Sequence, residues 1–344
     1  MMPILPDFSH VATLTDRHGT FEHADHAAPR REHGYCTDDM ARVLVVTARE
    51  RQLSGPVRDL ARTALRFVAD AQGVDGGCRN RRSSNGRWRG PRSVEDCWGR
   101  SLWGLGVAAT HGERWLAGDA LAYFEHGCHR RSPYRRSMAF AALGAAAVVT
   151  VEPRHRGALA LLDAAADVVG ARDAGMSDDD RWPWLEARLA YANAVVPEAM
   201  MAVGSALDRP SLVDGGLELL GWLLDRETRH GHLSVTPAGG AGPHDSAPGF
   251  DQQPIEVAAM ADACARALQL TGSERWADGV RMAAAWFDGH NDVGVAMWDR
   301  ATGGGYDGLL ASVANQNQGA ESTLALISTR QQALLLAPVP ALVR

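Results

Sequence analysis

No lysine occurs anywhere in this chain of 344 residues; all 35 basic side chains are arginine. That absence excludes the chemistries that need a lysine: the Schiff base, the pyridoxal anchor, the phosphate-loop lysine and the kinase-type lysine. Set against 41 acidic residues, the arginines leave a formal net charge of −6, the wrong balance for a nucleic-acid binder with its basic stripe. Cysteines are few and scattered (Cys36, Cys78, Cys97, Cys128, Cys264), with no Cys-x-x-Cys pair. Neither a disulfide framework nor a zinc site is expected, and no metal or cofactor is called for. Long apolar runs are missing too. The longest uncharged apolar stretch, residues 138–151, falls short of the about 20 residues a bilayer span requires, so no membrane partner is expected. The opening MMPILPDFSH has neither a basic n-region nor an apolar h-region; no secretion signal is expected, and the expected compartment is the cytoplasm.

What is present is helix upon helix. The spacing predicts helices over 38–53, 56–72, 94–111, 113–127, 135–150, 154–170, 186–207, 210–227, 252–271, 274–288 and 318–336, separated by turn signals such as Ser54-Gly55-Pro56 and Thr271-Gly272-Ser273. The first segment carries only a modest strand signal, in Val11-Ala12-Thr13-Leu14. Two kinds of helix alternate. Those at 56–72 and 274–288 have one apolar face and a polar remainder; those at 138–151, 189–203 and 255–268 are apolar almost all round and must be enclosed. Gly112-Glu113-Arg114-Trp115 and Ser273-Glu274-Arg275-Trp276 open two of the outer type in nearly the same words. Alternating inner and outer helices of irregular spacing predict an all-α (α/α)6 toroid, one domain over 1–344 with an extended N-terminal segment through residue 33. A solenoid would keep a fixed period.

The polar, aromatic-rich loops all precede inner-type helices. They are Gly34-Tyr35-Cys36-Thr37-Asp38-Asp39; Trp88 through Asp96; Tyr134-Arg135-Arg136; Trp182-Pro183-Trp184 with Glu186, Tyr191 and Asn193; Phe250-Asp251-Gln252-Gln253-Pro254 with Glu256; and Asn315-Gln316-Asn317-Gln318 with Glu321. If the inner helices are parallel, these sets meet at one mouth. A lining of carboxylates, amides, arginines and aromatic rings suits a carbohydrate. Tyr35, Trp88, Trp98, Trp182, Trp184, Phe250 and Tyr306 are candidate stacking rings, with core packing the alternative for each tryptophan. Ten tryptophans stand against seven phenylalanines and five tyrosines, so the choice matters.

Glycoside cleavage needs one carboxyl to donate a proton and another to activate water or attack. Asp38, Asp39, Glu95, Asp96, Glu186, Asp251, Glu256 and Glu321 are the candidates. Asp38 and Asp96 are equally placed to cap helices. Glu256 lies in an apolar run, Pro254-Ile255-Glu256-Val257-Ala258, where desolvation raises its pKa as a proton donor requires; Glu321 is the second choice. Asp38 or Asp39 is the expected base. Tyr35, Arg42, Trp88, Glu95, Asp96, Arg100, Arg135, Trp182, Trp184, Glu186, Tyr191, Asn193, Asp251, Gln252, Gln253, Tyr306, Gln318 and Glu321 are the expected substrate contacts. Gly104-Leu105-Gly106 matches a dinucleotide fingerprint by letter but lies inside a helix. There is no GxSxG elbow and no HExxH helix. His230 and His232 read as surface, and Asp178-Asp179-Asp180 as a solvated loop rather than a calcium site.

Five ordered motifs carry a resemblance: GYCTDDMAR (34–42), EDCWGR through Gly106 (95–106), Trp184 to Asn193, Gln253-Pro254-Ile255-Glu256 and Gly319-Ala320-Glu321-Ser322-Thr323. Together they resemble a six-hairpin (α/α)6 glycosidase family often encoded beside or fused to bacterial glycosyltransferases. Within it the Arg/Ala-rich composition is most similar to actinobacterial hydrolases of methylmannose polysaccharide. The resemblance implies endo-action on an α-1,4-mannoside chain, with an oligosaccharide or polysaccharide as partner. Met40 stands where most relatives have asparagine, and a thioether there would suit a methylated sugar. Two other readings stay open: a phosphorylase with phosphate held by Arg135 and Arg136, and a non-catalytic glycan-binding or glycosyltransferase-accessory module.

Overall fold

In the computed structural model, which describes residues 4–50, 52–174 and 181–337, twelve α-helices follow one another: α1 (Ser9–Thr13), α2 (Thr37–Ala48), α3 (Gly55–Ala71), α4 (Asp96–His111), α5 (Arg114–Gly127), α6 (Arg135–Val151), α7 (Arg156–Val169), α8 (Val195–Ala206), α9 (Pro210–Arg226), α10 (Pro254–Thr271), α11 (Glu274–Phe287) and α12 (Ala320–Leu335). The even-numbered helices pack each on the next, and α12 returns to α2, closing an inner ring; α3, α5, α7, α9 and α11 each lie on the inner helix before them. The toroid read from the pattern is present. The Asp178–Asp180 run lies outside the described residues.

The sixth outer position is filled from the other end of the chain. Short α1 packs on α12 and α3, a helix where the sequence carries a strand signal. Val11 and Leu14, three residues apart, are both fully buried, a helical rather than an alternating spacing. The N-terminal segment is therefore not extended throughout.

Inner helices differ from outer ones as their composition demands. Helix α6 buries nearly every residue from Arg136 to Ala146, whereas α3 buries Val57, Leu60, Ala61, Ala64, Leu65 and Val68 along one stripe. The glycines that imitated a dinucleotide fingerprint have a packing role. A Cβ on Gly106 would lie 2.2 Å from the carbonyl oxygen of Gly144, and one on Gly144 would lie 2.1 Å from that of Leu102. Helices α4 and α6 thus touch backbone to backbone.

The expected helix over 186–207 begins only at Val195. The preceding residues form an ordered loop: the Asn193 side chain accepts the Ala190 N–H at 2.9 Å, and Ala192 takes a left-handed conformation, φ +46. That loop reaches the barrel axis, where Ala192 meets Arg42, Val45, Phe140 and Ile255 around a space of about 40 Å³.

Candidate active site

The N-terminal ends of the inner helices converge. A cleft of about 430 Å³ is lined by Asp38, Asp39 and Arg42 of α2, Arg100 of α4, Asp251 and Gln253 before α10, and Glu321 and Ser322 of α12. Glu22, His23, Cys36, Arg81, Asp307, Asn315 and Gly319 complete it.

Arginine forks organise the carboxylates. Arg42 is buried and bridges two of them, donating from Nη1 to Asp39 Oδ1 at 2.7 Å and from Nη2 to Glu321 Oε2 at 2.5 Å. Arg100 stands 3.5 Å from both Asp38 Oδ1 and Asp96 Oδ2. Neither Asp38 nor Asp96 caps its helix. The cap of α2 is Cys36 Sγ, which accepts the Asp39 N–H, while Asp96 accepts from Ser137 Oγ at 3.1 Å and Tyr191 Oη at 2.7 Å. Asp38 Oδ2 accepts from Asn80 at 2.8 Å, and its Oδ1, also buried, has no hydrogen-bond partner. Burial pushes the Asp39 carboxyl up, with Arg42 opposing. Asp251 is raised by burial and by its like-charged neighbour Asp307, and its Oδ1 is likewise without a partner.

Glu256 is not in the open wall of this cleft. It is 5% exposed and lies against the loop before α8. Its Oε1 accepts the Ala192 N–H at 2.5 Å, and its Oε2 accepts the Asn193 N–H and Nδ2–H, each at 3.1 Å. Burial nonetheless pushes its carboxyl up to about 7. The same loop carries a second network. Arg136 grips Glu186 with two bonds of 2.7 and 2.9 Å and also donates to Asn193 Oδ1 at 3.2 Å. Burial works against the Glu186 charge, but Arg136 and Arg135 hold its carboxyl below the ordinary range. Arg135 donates to Ala171 O and Asp173. Both guanidinium groups expected to hold phosphate are thus already engaged by carboxylates.

Tyr191 and Tyr134, 43% and 53% exposed, flank a second groove of about 570 Å³ with Arg135, Arg136, Asp173 and Glu186.

Several expected contacts are structural instead. Tyr35, Trp98 and Trp184 are fully buried and Trp182 nearly so. The Trp182 and Trp184 rings pack on Trp222, at 5.2 and 6.1 Å between centroids, and both indole N–H groups bond to Glu186. Trp98 donates to Gly127 O, and Tyr35 to Asp16. The burial of such large apolar area outweighs any use as a stacking surface. Trp88 is half-buried edge-on against Phe67, and Phe250 and Tyr306 are partly buried against the core. Gln252 is fully buried on Asp292, and Gln318 is held between Thr302 and Asp299. Asn193 is buried. Glu95 is exposed and outside the cleft lining. Met40 faces the core, fully buried, its sulfur accepting the Thr20 N–H at 3.1 Å; it offers nothing to a methylated sugar.

Glu22, His23, Arg81 and Asp307 escaped the sequence reading. They come from segments with no helical period; the one available signal was the aspartate closing the glycine run Gly303-Gly304-Gly305-Tyr306-Asp307. Glu22, Cys36 and Asp39 are the one trio among the described residues whose donor atoms cluster closely enough for a metal, all within 4.8 Å of one another. Guanidinium groups already neutralise it, Arg81 on Glu22 and Arg42 on Asp39, and burial raises the Cys36 thiol, which donates to Asp39. A resident cation does not fit there. The five cysteines are free and buried, and no helix among the described residues is long and apolar enough to cross a membrane.

No protein-family model matches the sequence, and no curated protein matches it. Solved structures do match in shape. A sugar epimerase from a ruminal bacterium superposes with a TM-score of 0.68 at 10% identity, covering 96% of both chains. An inactive variant of an α-1,6-mannanase from a Salegentibacter species, in complex with α-1,6-mannotriose, gives 0.61 at 11%, covering 96% of this chain and all (100%) of that one. A GH family 9 endoglucanase gives 0.59 at 11%, covering 92% and 74%. The chain has the six-hairpin (α/α)6 fold. The cleft stands at the N-terminal ends of α2, α4, α10 and α12, whose positive dipole ends favour acids there.

Proposed function

We propose that this (α/α)6 barrel is a glycoside hydrolase that opens an α-mannoside chain internally by a two-carboxyl mechanism. The carrying observation is the composition of the cleft: six carboxylates (Glu22, Asp38, Asp39, Asp251, Asp307, Glu321) and a single histidine, His23. Epimerisation or isomerisation needs a base that removes a proton beside a carbonyl and a partner that returns it, a pair of roles suited to histidines, of which the cleft has one. Hydrolysis of an acetal needs only carboxyls in different protonation states.

Asp38 takes the role of base. Its Oδ1 has no hydrogen-bond partner, while both Asp39 oxygens are committed to Arg42 and Cys36. In the proposed step Asp38 removes a proton from water, the water oxygen attacks the anomeric carbon, and the glycosidic C–O bond breaks with inversion as Glu256 protonates the leaving oxygen. Burial holding Glu256 up to about 7 supports that role; delivery requires the 190–193 loop to lift from it. The mannanase of the same fold is described as inactive when two consecutive aspartates are replaced by asparagine, and Asp38–Asp39 is such a pair. The 3-O-methylmannose, α-1,4-linked substrate implied by the sequence motifs is the finer form of this proposal. A second groove, linked to the cleft through Tyr191 on Asp96 and Asp96 on Arg100, suits a chain rather than a single sugar.

Glu256→Gln is expected to lower turnover of α-mannan by about a hundredfold or more while leaving oligosaccharide binding in place. Retained turnover in that variant, with loss in Asp251→Asn, would move the donor role to Asp251, which lines the cleft directly.

A further inference from the structure

Against the overall negative charge, six arginines fall between residues 79 and 92 (Arg79, Arg81, Arg82, Arg87, Arg89, Arg92), with no acid between Asp75 and Glu95. A hairpin of residues 81–82 and 88–89, paired to residues 35–36, carries Arg81, Arg82 and Arg89, with Arg81 at the cleft. The ladder sets Arg81 directly opposite Arg89. Like charges opposed across a sheet pair are destabilising; the Glu22 carboxylate offsets Arg81, and no carboxylate among the described residues pairs with Arg89.

These two residues, with Arg82, Ser83, His23 and His33, line a groove of about 360 Å³. Arg82 is committed to the fold: its Nε donates to Gly86 O at 3.0 Å, and its guanidinium lies over the rings of Phe67 and Trp88. Arg81 is paired with Glu22. Arg89 is exposed and forms no ion pair with the described residues. Glu22, the one acid lining the groove, is thus already neutralised. Glu22, His23 and Arg81 line both this groove and the carboxylate cleft, which makes the groove a side branch of the proposed catalytic mouth.

We propose that this groove binds an oxyanion, a phosphate or carboxylate, carried on the glycan; the proposal rests on the glycosidase reading above. Guanidinium forks match the two oxygens of such a group. A phosphate acting instead as nucleophile would have to reach the anomeric carbon among Asp38, Asp39 and Glu321, whose charges repel it. Arg89 stands outside that cleft and Arg81 at its edge on Glu22, which fits an anion on the substrate and not a reacting one.

The test compares α-mannotriose, the same trisaccharide bearing a 6-phosphate, and inorganic phosphate by titration calorimetry at low and high salt. The phosphorylated sugar is expected to bind about ten- to a hundredfold tighter than the neutral one, the range of one or two charge-assisted bonds, with the preference shrinking in high salt. Arg89→Glu is expected to bring the preference to about one; Arg87→Glu, outside the groove lining, keeps it. Equal binding of the two sugars by the wild type overturns the anion site and leaves the hydrolase reading intact. Preference for the phosphorylated sugar without cleavage of any α-mannan upholds the anion site and defeats the hydrolase reading. Inorganic phosphate that is consumed to give a sugar 1-phosphate overturns the proposal in favour of phosphorolysis.

Discussion

Replacing Glu227 with glutamine is expected to make the protein more resistant to unfolding at alkaline pH. Glu227 follows α9 and is 3% exposed. Its Oε1 accepts the Thr236 N–H at 3.0 Å and the Thr236 hydroxyl at 2.5 Å, bonds that a carboxamide oxygen can keep. Burial, with a contribution from the nearby Glu256 carboxylate, pushes its carboxyl from 4.5 up to about 8. Between those values the folded chain keeps a proton that the unfolded chain has lost. The stability this contributes is fully present below about 4.5 and is lost as the pH rises through about 8. At about 1.4 kcal/mol per tenfold change in proton activity, the ceiling is about 5 kcal/mol, and relaxation around a buried charge brings the working figure to about 2 kcal/mol. Urea unfolding of both proteins near about pH 5 and about pH 9 measures it, because the variant's advantage must grow with pH. Parallel stability curves for the two proteins would refute the reasoning. The alkaline limb of the pH–rate profile set by Glu256 is expected to stay in place in the variant, because Glu256, raised to about 7, loses its proton while Glu227, raised to about 8, still holds its own.

Two further substitutions test the packing. Gly106→Ala places a methyl 2.2 Å from the Gly144 carbonyl oxygen; it is expected to cost about 1–3 kcal/mol or to prevent folding, read as a lower midpoint of thermal or urea unfolding. Trp184→Ala, which empties a fully buried site, is expected to cost about 3–5 kcal/mol, whereas Tyr134→Ala, at an exposed ring beside the second groove, leaves the unfolding midpoint unchanged and raises KM for an oligosaccharide. A Trp184 variant with normal stability and a raised KM would reverse that distinction.

The ring of helices was legible because enclosure leaves a compositional trace. Helix α6 has no charged residue from Ser137 to Val151, and only an enclosed helix can lack a polar face. Asp38, Asp39, Asp251 and Glu321 were legible for a similar local reason, since each opens or just precedes an inner helix after a polar loop; Glu22 and Asp307 lie in segments without a helical period and were not. Burial of single aromatic rings was not legible. Trp182 and Trp184 sit in a proline-broken polar loop, yet Trp222, remote in sequence, covers both. The start of α8 is not legible either: the apolar composition of Leu189 to Val196 is compatible with a helix, while the hydrogen bonds that hold the loop come from Glu256, more than sixty residues away.

The alternation of apolar stripes and enclosed helices, together with the acids that open the inner ones, belongs to the sequence, because periodicity and helix punctuation act over a few residues. Which end of the chain supplies the last outer helix was decided only in three dimensions, by the burial of Val11 and Leu14. So was the status of each acid. Asp38 keeps an oxygen that accepts no hydrogen bond, with Arg100 at 3.5 Å from it; Asp39 is held by Arg42, and Glu256 lies beneath Ala192. A carboxylate's protonation and reach depend on groups brought to it from distant segments, and no local pattern encodes them. The missing lysines follow the same division. Their absence excludes lysine chemistry from the sequence alone, but which arginines grip carboxylates and which, like Arg89, stand without an ion-pair partner among the described residues is a property of the fold.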